Sequence, residues 1–260
     1  SGLLSGPIGI TNTHQVGLVR DTLVAEEVQR DPDATWCLPI VGETYDGFLN
    51  DIDAFHLTAD HVRAALADAE VPGPVAEGNV GGGTGMICHE FKGGIGTASR
   101  QVETGGGSYT LGALVQANYG ARGLLRLDGR PVGRTLGADV VPLPSDPAVA
   151  DAGSIIVIVA TDAPLLADQC TRLARRGGTG GNGSGDIFLA FSTGNRVPIG
   201  ATTPTSVDTL PAGAMTPLFD ATAEAVEESI WNALVAAETM TGHRGRVVHA
   251  IPHDRLTALR

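Results

Sequence analysis

The chain has 260 residues, of which 42% are hydrophobic and 18% are charged, so it is too apolar for a disordered protein and long enough to bury a sizeable core. Its 17 Lys and Arg residues against 29 Asp and Glu residues give a formal net charge of −12. This acidic balance argues against binding to nucleic acid or to an anionic membrane surface. We expect a single domain over residues 1–260.

The first half of the chain predicts strands and helices in alternation. Short apolar runs bounded by glycine, proline and acidic residues are typical of strands, and apolar residues three and four positions apart are typical of helices. In chain order these patterns predict a strand at 6–13, a helix from Val16, a strand at 36–41, a helix at 59–69 capped by Thr58, and strands at 108–119 and 124–128.

The second half begins with a connector from Val140 to Gly153, which is rich in proline and aspartate. The continuous β-branched run from Ser154 to Ala160 then predicts a strand buried on both faces. Asp162-Ala163-Pro164 predicts the start of a helix, and a strand at 187–192 and a helix at 217–240 follow. This order predicts a layered α/β fold.

Three features of the sequence concern cofactors and location. Cys37, Cys88 and Cys170 are widely spaced and odd in number, which predicts neither a disulfide framework nor a metal site. The glycine-rich stretch at 78–85 lacks the order of a phosphate-binding loop, so we expect no cofactor. The sequence has no apolar run of membrane-spanning length and no N-terminal signal pattern, which predicts a cytoplasmic protein.

Ser154 is a candidate nucleophile because of its position between a flexible connector and a buried strand. Seven histidines are present, but none occurs in a motif of a histidine-based triad. If the bond after Gly153 were cut, Ser154 would carry a hydroxyl and a free α-amine. Such an amine has an unperturbed pKa of about 7.7–8.0 and can serve as the general base. On spacing alone, a plain turn into a core strand explains the same residues.

An acidic cluster surrounds Tyr45 and contains Glu43, Asp46, Asp51 and Asp53. Solvated charge on a loop is one interpretation of this cluster. A pocket carboxylate that holds a substrate ammonium group is another. Metal binding is a third, although loops that bind hard cations have a denser alternation of ligands.

Several stretches, in chain order, match one family. They are 11–14 (TNTH), 41–51 (VGETYDGFLND), 73–86 (GPVAEGNVGGGTGM), 91–100 (FKGGIGTASR), 115–118 (VQAN), 153–156 (GSII), 160–164 (ATDAP) and 182–186 (NGSGD). Together they resemble the autoprocessing aminopeptidases of the L-aminopeptidase/D-esterase and β-peptidyl aminopeptidase group. Members usually carry an additional N-terminal segment and a longer loop after Arg176.

The resemblance implies a four-layered α-β-β-α sandwich, similar to that of N-terminal-nucleophile hydrolases but differently connected. It implies self-cleavage between Gly153 and Ser154, which would give an α-chain of residues 1–153 and a β-chain of residues 154–260. The expected activity is removal of N-terminal residues from short peptides, amides and esters with a free amine, including D- or β-residues. A homo-oligomer of processed pairs is also expected.

By the same resemblance, five further residues would serve the reaction. Asn118 would help to form the oxyanion hole, and Ser184 and Asp186 would lie beside the nucleophile and tune it. Glu43 would bind the free amine of the substrate. Tyr45 would line the reacting centre.

Two alternatives remain open from the sequence. The ornithine acetyltransferases resemble this fold family, but they use a threonine nucleophile where this chain has Ser154. The chain is alternatively an inactive binding relative. Acetyl transfer, or an uncleaved chain without reactivity toward a sulfonyl fluoride, would distinguish these two.

Overall fold

A computed structural model describes residues 2–32, 36–145, 153–178, 185–198 and 200–257. The fold is mixed α/β, as predicted. Its elements in chain order are β1 (Ile8–Asn12), α1 (Val16–Arg30), β2 (Ile40–Thr44), α2 (Ala59–Ala69), β3 (Ile87–Cys88), β4 (Phe91–Lys92), β5 (Gly94–Thr104), β6 (Gly107–Asn118), α3 (Val132–Thr135), β7 (Ser154–Thr161), α4 (Ala167–Ala174), β8 (Gly185–Ser192), α5 (Thr216–Ala236), β9 (Met240–Thr241), β10 (Val247–Val248) and α6 (His253–Thr257).

The main sheet has the strand order β5-β6-β7-β8. Strand β6 is antiparallel to both β5 and β7, whereas β7 and β8 are parallel. The β5–β6 hairpin turns through Gly105 and Gly106, both with positive φ, which is the conformation that two-residue hairpins need and that glycine adopts at little cost. The register of this sheet places Ser154 beside Asn118 on one side and Gly185 on the other.

One face of the main sheet carries the largest hydrophobic core. Val115 and Val157 on this face are buried in the same cluster as Leu218 and Leu234 of α5. Helix α5 approaches β5 so closely that a Cβ on Gly96 would overlap the carbonyl oxygen of Ser229. Within the described ranges, no helix is both long and apolar enough to cross a membrane.

The opposite face of the main sheet lies against β1 and β2, which pair in parallel. Ile156 of the main sheet packs onto Gly42, where a Cβ would come within 3.1 Å of its side chain. Beyond β1 and β2, Val41 packs on a cluster that joins Val19 and Leu23 of α1 to Val62 of α2.

Several predicted elements are confirmed by the structure. Helix α2 has the predicted bounds, and the N–H of its N-cap residue Thr58 donates to Nδ1 of His61 at 3.0 Å. Strand β7 begins at Ser154 and is buried over most of its length, as its β-branched residues indicate.

Three predicted elements are wrong in position or type. The strand predicted at 36–41 begins at Ile40, whose N–H donates to the carbonyl oxygen of Pro7, the residue before β1, whereas Trp36 is exposed. The segment predicted as a strand at 124–128 is not one: a 3₁₀ turn ends at Leu124, and Leu127 forms only an isolated bridge with Arg130 across a tight turn. The helix predicted from Asp162 begins at Ala167, because the Asp162 carboxylate instead accepts a hydrogen bond from the N–H of Thr110.

Candidate active site

Ser154 is the first residue of β7, an inner strand of the main sheet. It is 8% exposed, and its neighbours are Asn118 in β6 and Gly185 in β8. The N–H of Gly185 donates to the carbonyl oxygen of Gly153 at 3.0 Å, so the residue before Ser154 is held by the main chain of β8. A Cβ on Gly153 would come within 3.0 Å of Tyr119 Cα, which leaves little room for a larger residue.

The side-chain amide of Asn118 is held in one orientation. Its Oδ1 accepts a hydrogen bond from the N–H of Ile87 at 2.8 Å, and its Nδ2 donates to the carbonyl oxygen of Tyr45 at 3.0 Å. Because a backbone N–H only donates and a carbonyl oxygen only accepts, these two partners fix which amide atom is which. Asn118 Nδ2 lies 3.5 Å from Ser154 Oγ, so the structure brings a hydrogen-bond donor to the candidate nucleophile.

Tyr45 and Glu43 lie near the end of β2. The Tyr45 side chain is 53% exposed and packs against Gly47, whereas its main-chain carbonyl contacts the Asn118 amide. Glu43 pairs with Thr11 in the β1–β2 register, and its carboxylate accepts a hydrogen bond from the hydroxyl of Thr13. The carboxylate is therefore already oriented by a donor from the short turn that precedes α1.

Asp186 is one position beyond the pair of Ser154 and Gly185. Its partner in β7 is Ile155, whose side chain lies in the core beneath α5. Because side chains alternate between the faces of a sheet, Asp186 shares this face and not that of Ser154. On this face the pKa of Tyr119 is raised, mainly by burial and further by the negative charge of Asp186. Ser184 lies outside the described residues.

The acidic cluster predicted around Tyr45 is divided by the fold. Asp46 is buried, and its carboxylate accepts hydrogen bonds from Asn12 and Asn50. Burial raises the pKa of Asp46, and these two hydrogen bonds partly offset the rise. Asp53 and Asp51 instead lie beside histidines at the surface, with carboxylate oxygens 3.2 Å from His14 Nδ1 and 3.8 Å from His243 Nδ1.

A cavity of about 650 Å³ lies between β1, α1, α2 and the glycine-rich stretch at 78–85. Its lining includes the apolar residues Val19 and Val62 and the polar residues Asp46 and Asn12. The glycines serve close packing here, since a Cβ on Gly85 would come within 2.8 Å of the Asp46 side chain.

Two contributors to the site make contacts that the sequence does not indicate. Ile87 acts through its backbone N–H, so its side-chain type gives no indication of that contact. Gln116 is fully buried two residues before Asn118 in β6, and its Nε2 donates to the hydroxyl of Thr44 at 2.6 Å. These contacts attach β2 and the β3–β4 hairpin to the strand that carries Asn118.

Comparison with known proteins identifies the family. The model of peptidase family S58 matches residues 1–248. The β-peptidyl aminopeptidase BapA of Sphingosinicella microcystinivorans is 48% identical over 276 aligned residues, which cover 99% of this chain and 69% of the relative. BapA of Sphingosinicella xenopeptidilytica is 43% identical over 278 aligned residues, with the same two coverages.

Solved structures agree with this match. A β-aminopeptidase of a Burkholderia species has a TM-score of 0.90 and 52% identity, covering 99% of this chain and 74% of its own. The L-aminopeptidase D-Ala-esterase/amidase of Ochrobactrum anthropi, described as a new variant among the Ntn hydrolase fold, has a TM-score of 0.87 and 46% identity, covering 96% and 71%. The family indicated by the sequence motifs is confirmed. The chain belongs to peptidase family S58 and is a serine peptidase with a variant of the Ntn hydrolase fold.

Proposed function

We propose that the chain is a self-cleaving aminopeptidase that removes N-terminal residues, including β- and D-residues, from short peptides, amides and esters. The observation that carries this proposal is the position of Ser154 Oγ beside Asn118 Nδ2 at the first residue of a strand. The names of the relatives, which are β-peptidyl aminopeptidases and an L-aminopeptidase D-Ala-esterase/amidase, support the substrate class.

Self-cleavage begins with attack of Ser154 Oγ on the carbonyl carbon of Gly153. The peptide C–N bond breaks, the nitrogen takes the hydroxyl proton, and Gly153 is transferred to Oγ as an ester. Water then hydrolyses this ester, which leaves a carboxylate on Gly153 and a free amine and hydroxyl on Ser154. The hydrogen bond from Gly185 to the Gly153 carbonyl supports the first step because it polarises the group under attack.

The products of this cleavage are residues 1–153 and 154–260, which remain one domain. Strands β6 and β7 belong to different products, yet they pair from Leu111 with Thr161 to Asn118 with Ser154. The buried core beneath α5 also contains residues of both products. The two chains therefore stay associated through the sheet and the core.

Substrate hydrolysis uses the same serine with its new α-amine as the base. The amine takes the proton of Oγ as Oγ attacks the substrate carbonyl, and Asn118 Nδ2 donates to the oxyanion. The amine then protonates the leaving group, and water releases the acyl group from Oγ. Glu43 binds the ammonium group of the substrate, Tyr45 lines the reacting centre and Ser184 lies beside the nucleophile, whereas Asp186, on the opposite face of the sheet, tunes it through its charge.

The fold proposed for this activity is a four-layered α-β-β-α sandwich. Its support is the order of contacts from α5 to the main sheet, from Ile156 to Gly42 of β2, and from Val41 of β2 to α1 and α2. We expect the processed pairs to assemble into a homo-oligomer. Light scattering of the purified protein measures that mass directly.

The decisive experiment compares the wild-type chain with Ser154→Ala by intact mass and by hydrolysis of an aminoacyl p-nitroanilide. Wild type is expected to give two chains, and Ser154→Ala one inactive chain. Lys92 is the single lysine of the sequence and is fully buried, so amine-reactive labels report the chain starts, and Ser154 supplies a new one.

Ser108→Ala is the matched control, because Ser108 is exposed at the other end of β6 and its loss leaves cleavage and hydrolysis unchanged. A Ser154→Ala protein that still splits or still hydrolyses the substrate refutes the proposal. Acetyl transfer from acetylornithine without hydrolysis would favour the acetyltransferase alternative.

A further inference from the structure

The β3–β4 hairpin has an unfavourable turn beside the active site. Cys88 pairs with Phe91, so the two-residue loop is His89 and Glu90, with φ values of +49° and +60°. Residues with side chains rarely adopt this left-handed region, and each such residue costs of the order of 1–3 kcal/mol. The β5–β6 hairpin of the same chain solves the same problem with Gly105 and Gly106. The local sequence therefore does not favour this turn, and other contacts hold it.

These contacts come from the four residues that follow Asn118. The N–H of His89 donates to the carbonyl oxygen of Tyr119 at 2.7 Å, and the His89 ring lies edge-on to the Tyr119 ring at 5.2 Å. His89 Nδ1 lies 3.0 Å from the carbonyl oxygen of Ala121. The N–H of Arg122 donates to Glu90 Oε2 at 3.1 Å.

The Arg122 side chain adds further contacts to the turn. Its Nη2 donates to the carbonyl oxygen of Glu90 at 2.6 Å, and its guanidinium carbon lies 3.9 Å from the centre of the Phe91 ring. Its Nη1 donates to the carbonyl oxygen of Val141. Arg122 is 3% exposed, and among the described residues its Nε has no hydrogen-bond partner.

A buried guanidinium bonded to carbonyl oxygens is a costly way to stabilise a fold. Burial lowers the pKa of Arg122, which shows that the protein interior disfavours its charge. Hydrophobic residues of similar volume often stabilise a protein at least as well as a buried charge does. Holding the β3–β4 hairpin in position explains a buried arginine at residue 122 more specifically than a contribution to overall stability does.

The hairpin controls the amide of Asn118. Ile87, in the first strand of the hairpin, donates its N–H to Asn118 Oδ1, and this contact directs Nδ2 toward Ser154 Oγ. We propose that Arg122 is a positioning residue that holds the strained His89–Glu90 turn. The Ile87 N–H then keeps Asn118 Nδ2 directed toward Ser154 Oγ, beside which the oxyanion forms. This inference rests on the proposed function, in which Nδ2 stabilises the oxyanion.

The test measures kcat and KM of Arg122→Met on an aminoacyl p-nitroanilide, per mole of the processed Ser154 chain start. We expect kcat to fall about 10- to 100-fold, because small misplacements of a catalytic group have effects of this size, and KM to stay within about twofold. Arg126→Met is the matched control, because Arg126 is exposed in the same segment and bonds to the Gly129 carbonyl. Its kcat is expected to match that of wild type.

A rescue experiment separates positioning from general stability. Replacing His89 and Glu90 by Asn and Gly gives a sequence that favours the same turn without a clamp. In the Arg122→Met background this replacement is expected to restore kcat at least threefold. A merely structural role of Arg122 toward Val141 predicts no rescue, and absence of rescue overturns the inference.

A double variant shows whether Arg122 acts through Asn118. If it does, Arg122→Met in an Asn118→Ala background lowers kcat by no more than about twofold, because the orientation of a missing amide cannot matter. If the fold-losses in kcat of Arg122→Met and Asn118→Ala multiply in the double variant, the inference is contradicted. If Arg122→Met gives no soluble protein, His89→Ala takes its place, and an unchanged kcat then overturns the inference. An active Ser154→Ala protein refutes the proposed function itself.

Discussion

Asn118 and Ser154 are 36 residues apart in sequence and face each other on adjacent antiparallel strands, with Asn118 Nδ2 3.5 Å from Ser154 Oγ. The amide has a fixed direction because Ile87 and Tyr45 hold its other contacts. A donor that is oriented before the substrate binds needs no reorganisation during the reaction, which is the property an oxyanion hole requires.

Replacing Asn118 is expected to slow the chemical step. Asn118→Ala removes the donor and lowers kcat by about 10²–10³-fold with little change in KM, the usual effect of losing one oxyanion donor. Asn232→Ala is the control, since Asn232 Nδ2 donates to the Thr97 carbonyl at 2.8 Å from the helix on the other face of the sheet. Steady-state kinetics of the processed proteins measure both, and an Asn118→Ala protein with wild-type kcat contradicts this role.

Glu43 is expected to determine the requirement for a free amine. Glu43→Gln removes the negative charge and lowers kcat/KM for a free-amine substrate by about 30-fold or more, which corresponds to about 2 kcal/mol for a broken charge pair. Hydrolysis of the N-acetylated substrate stays unchanged. Glu103→Gln, at an exposed position of β5, is the control. Equal losses for both substrates would argue against amine binding by Glu43.

Lys92 is expected to make stability depend on pH. Burial lowers its pKa from 10.5 to about 7 in the folded chain. Between these pH values the unfolded chain binds more protons, so the Lys92 contribution to the free energy of unfolding rises with pH, by at most about 1.4 kcal/mol per pH unit. Below pH 7 both states are protonated and the full cost of burying the charge remains.

The measurement for Lys92 is urea unfolding of wild type and Lys92→Met at pH 7 and pH 9. Methionine does not titrate, so wild type should gain stability relative to the variant as the pH rises. Lys92 Nζ donates to the carbonyl oxygens of Gly83 and Gly93, so the variant also loses two hydrogen bonds. This loss changes the stability difference at every pH more than it changes how that difference varies with pH. A stability difference that does not change with pH would contradict a neutral Lys92 at pH 9.

Two glycines of the main sheet are expected to respond differently to alanine. A Cβ on Gly96 would overlap the Ser229 carbonyl oxygen and come within 2.6 Å of Ala233 N, so Gly96→Ala must displace α5. A Cβ on Gly112 would come no closer than 4.0 Å to the carbonyl oxygen of Ala98. We expect Gly96→Ala to lower the free energy of unfolding by about 3 kcal/mol and Gly112→Ala to change it by less than about 1 kcal/mol. Denaturant unfolding measures the pair, and similar values for both would contradict the packing of α5 on β5.

The sequence by itself determined the features that depend on neighbouring residues. Thr58 marks the start of α2, and the β-branched run after Gly153 identifies β7 and places Ser154 at its first position. Motifs spread along the chain also indicated the family, which the comparisons confirm. Helix capping and strand propensity depend on only a few neighbouring residues, so a short stretch of sequence is enough to predict them.

Only the tertiary structure decided which distant groups meet. The pairing register of β6 and β7 places Asn118 beside Ser154, and the fold alone makes the N–H of Ile87 a contact of the Asn118 amide. It also overrode a local signal at Asp162, whose carboxylate bonds to Thr110 instead of capping a helix. These outcomes depend on contacts between residues far apart in the chain, and the free energy of such contacts depends on the packing of the whole domain, which no short stretch of sequence contains.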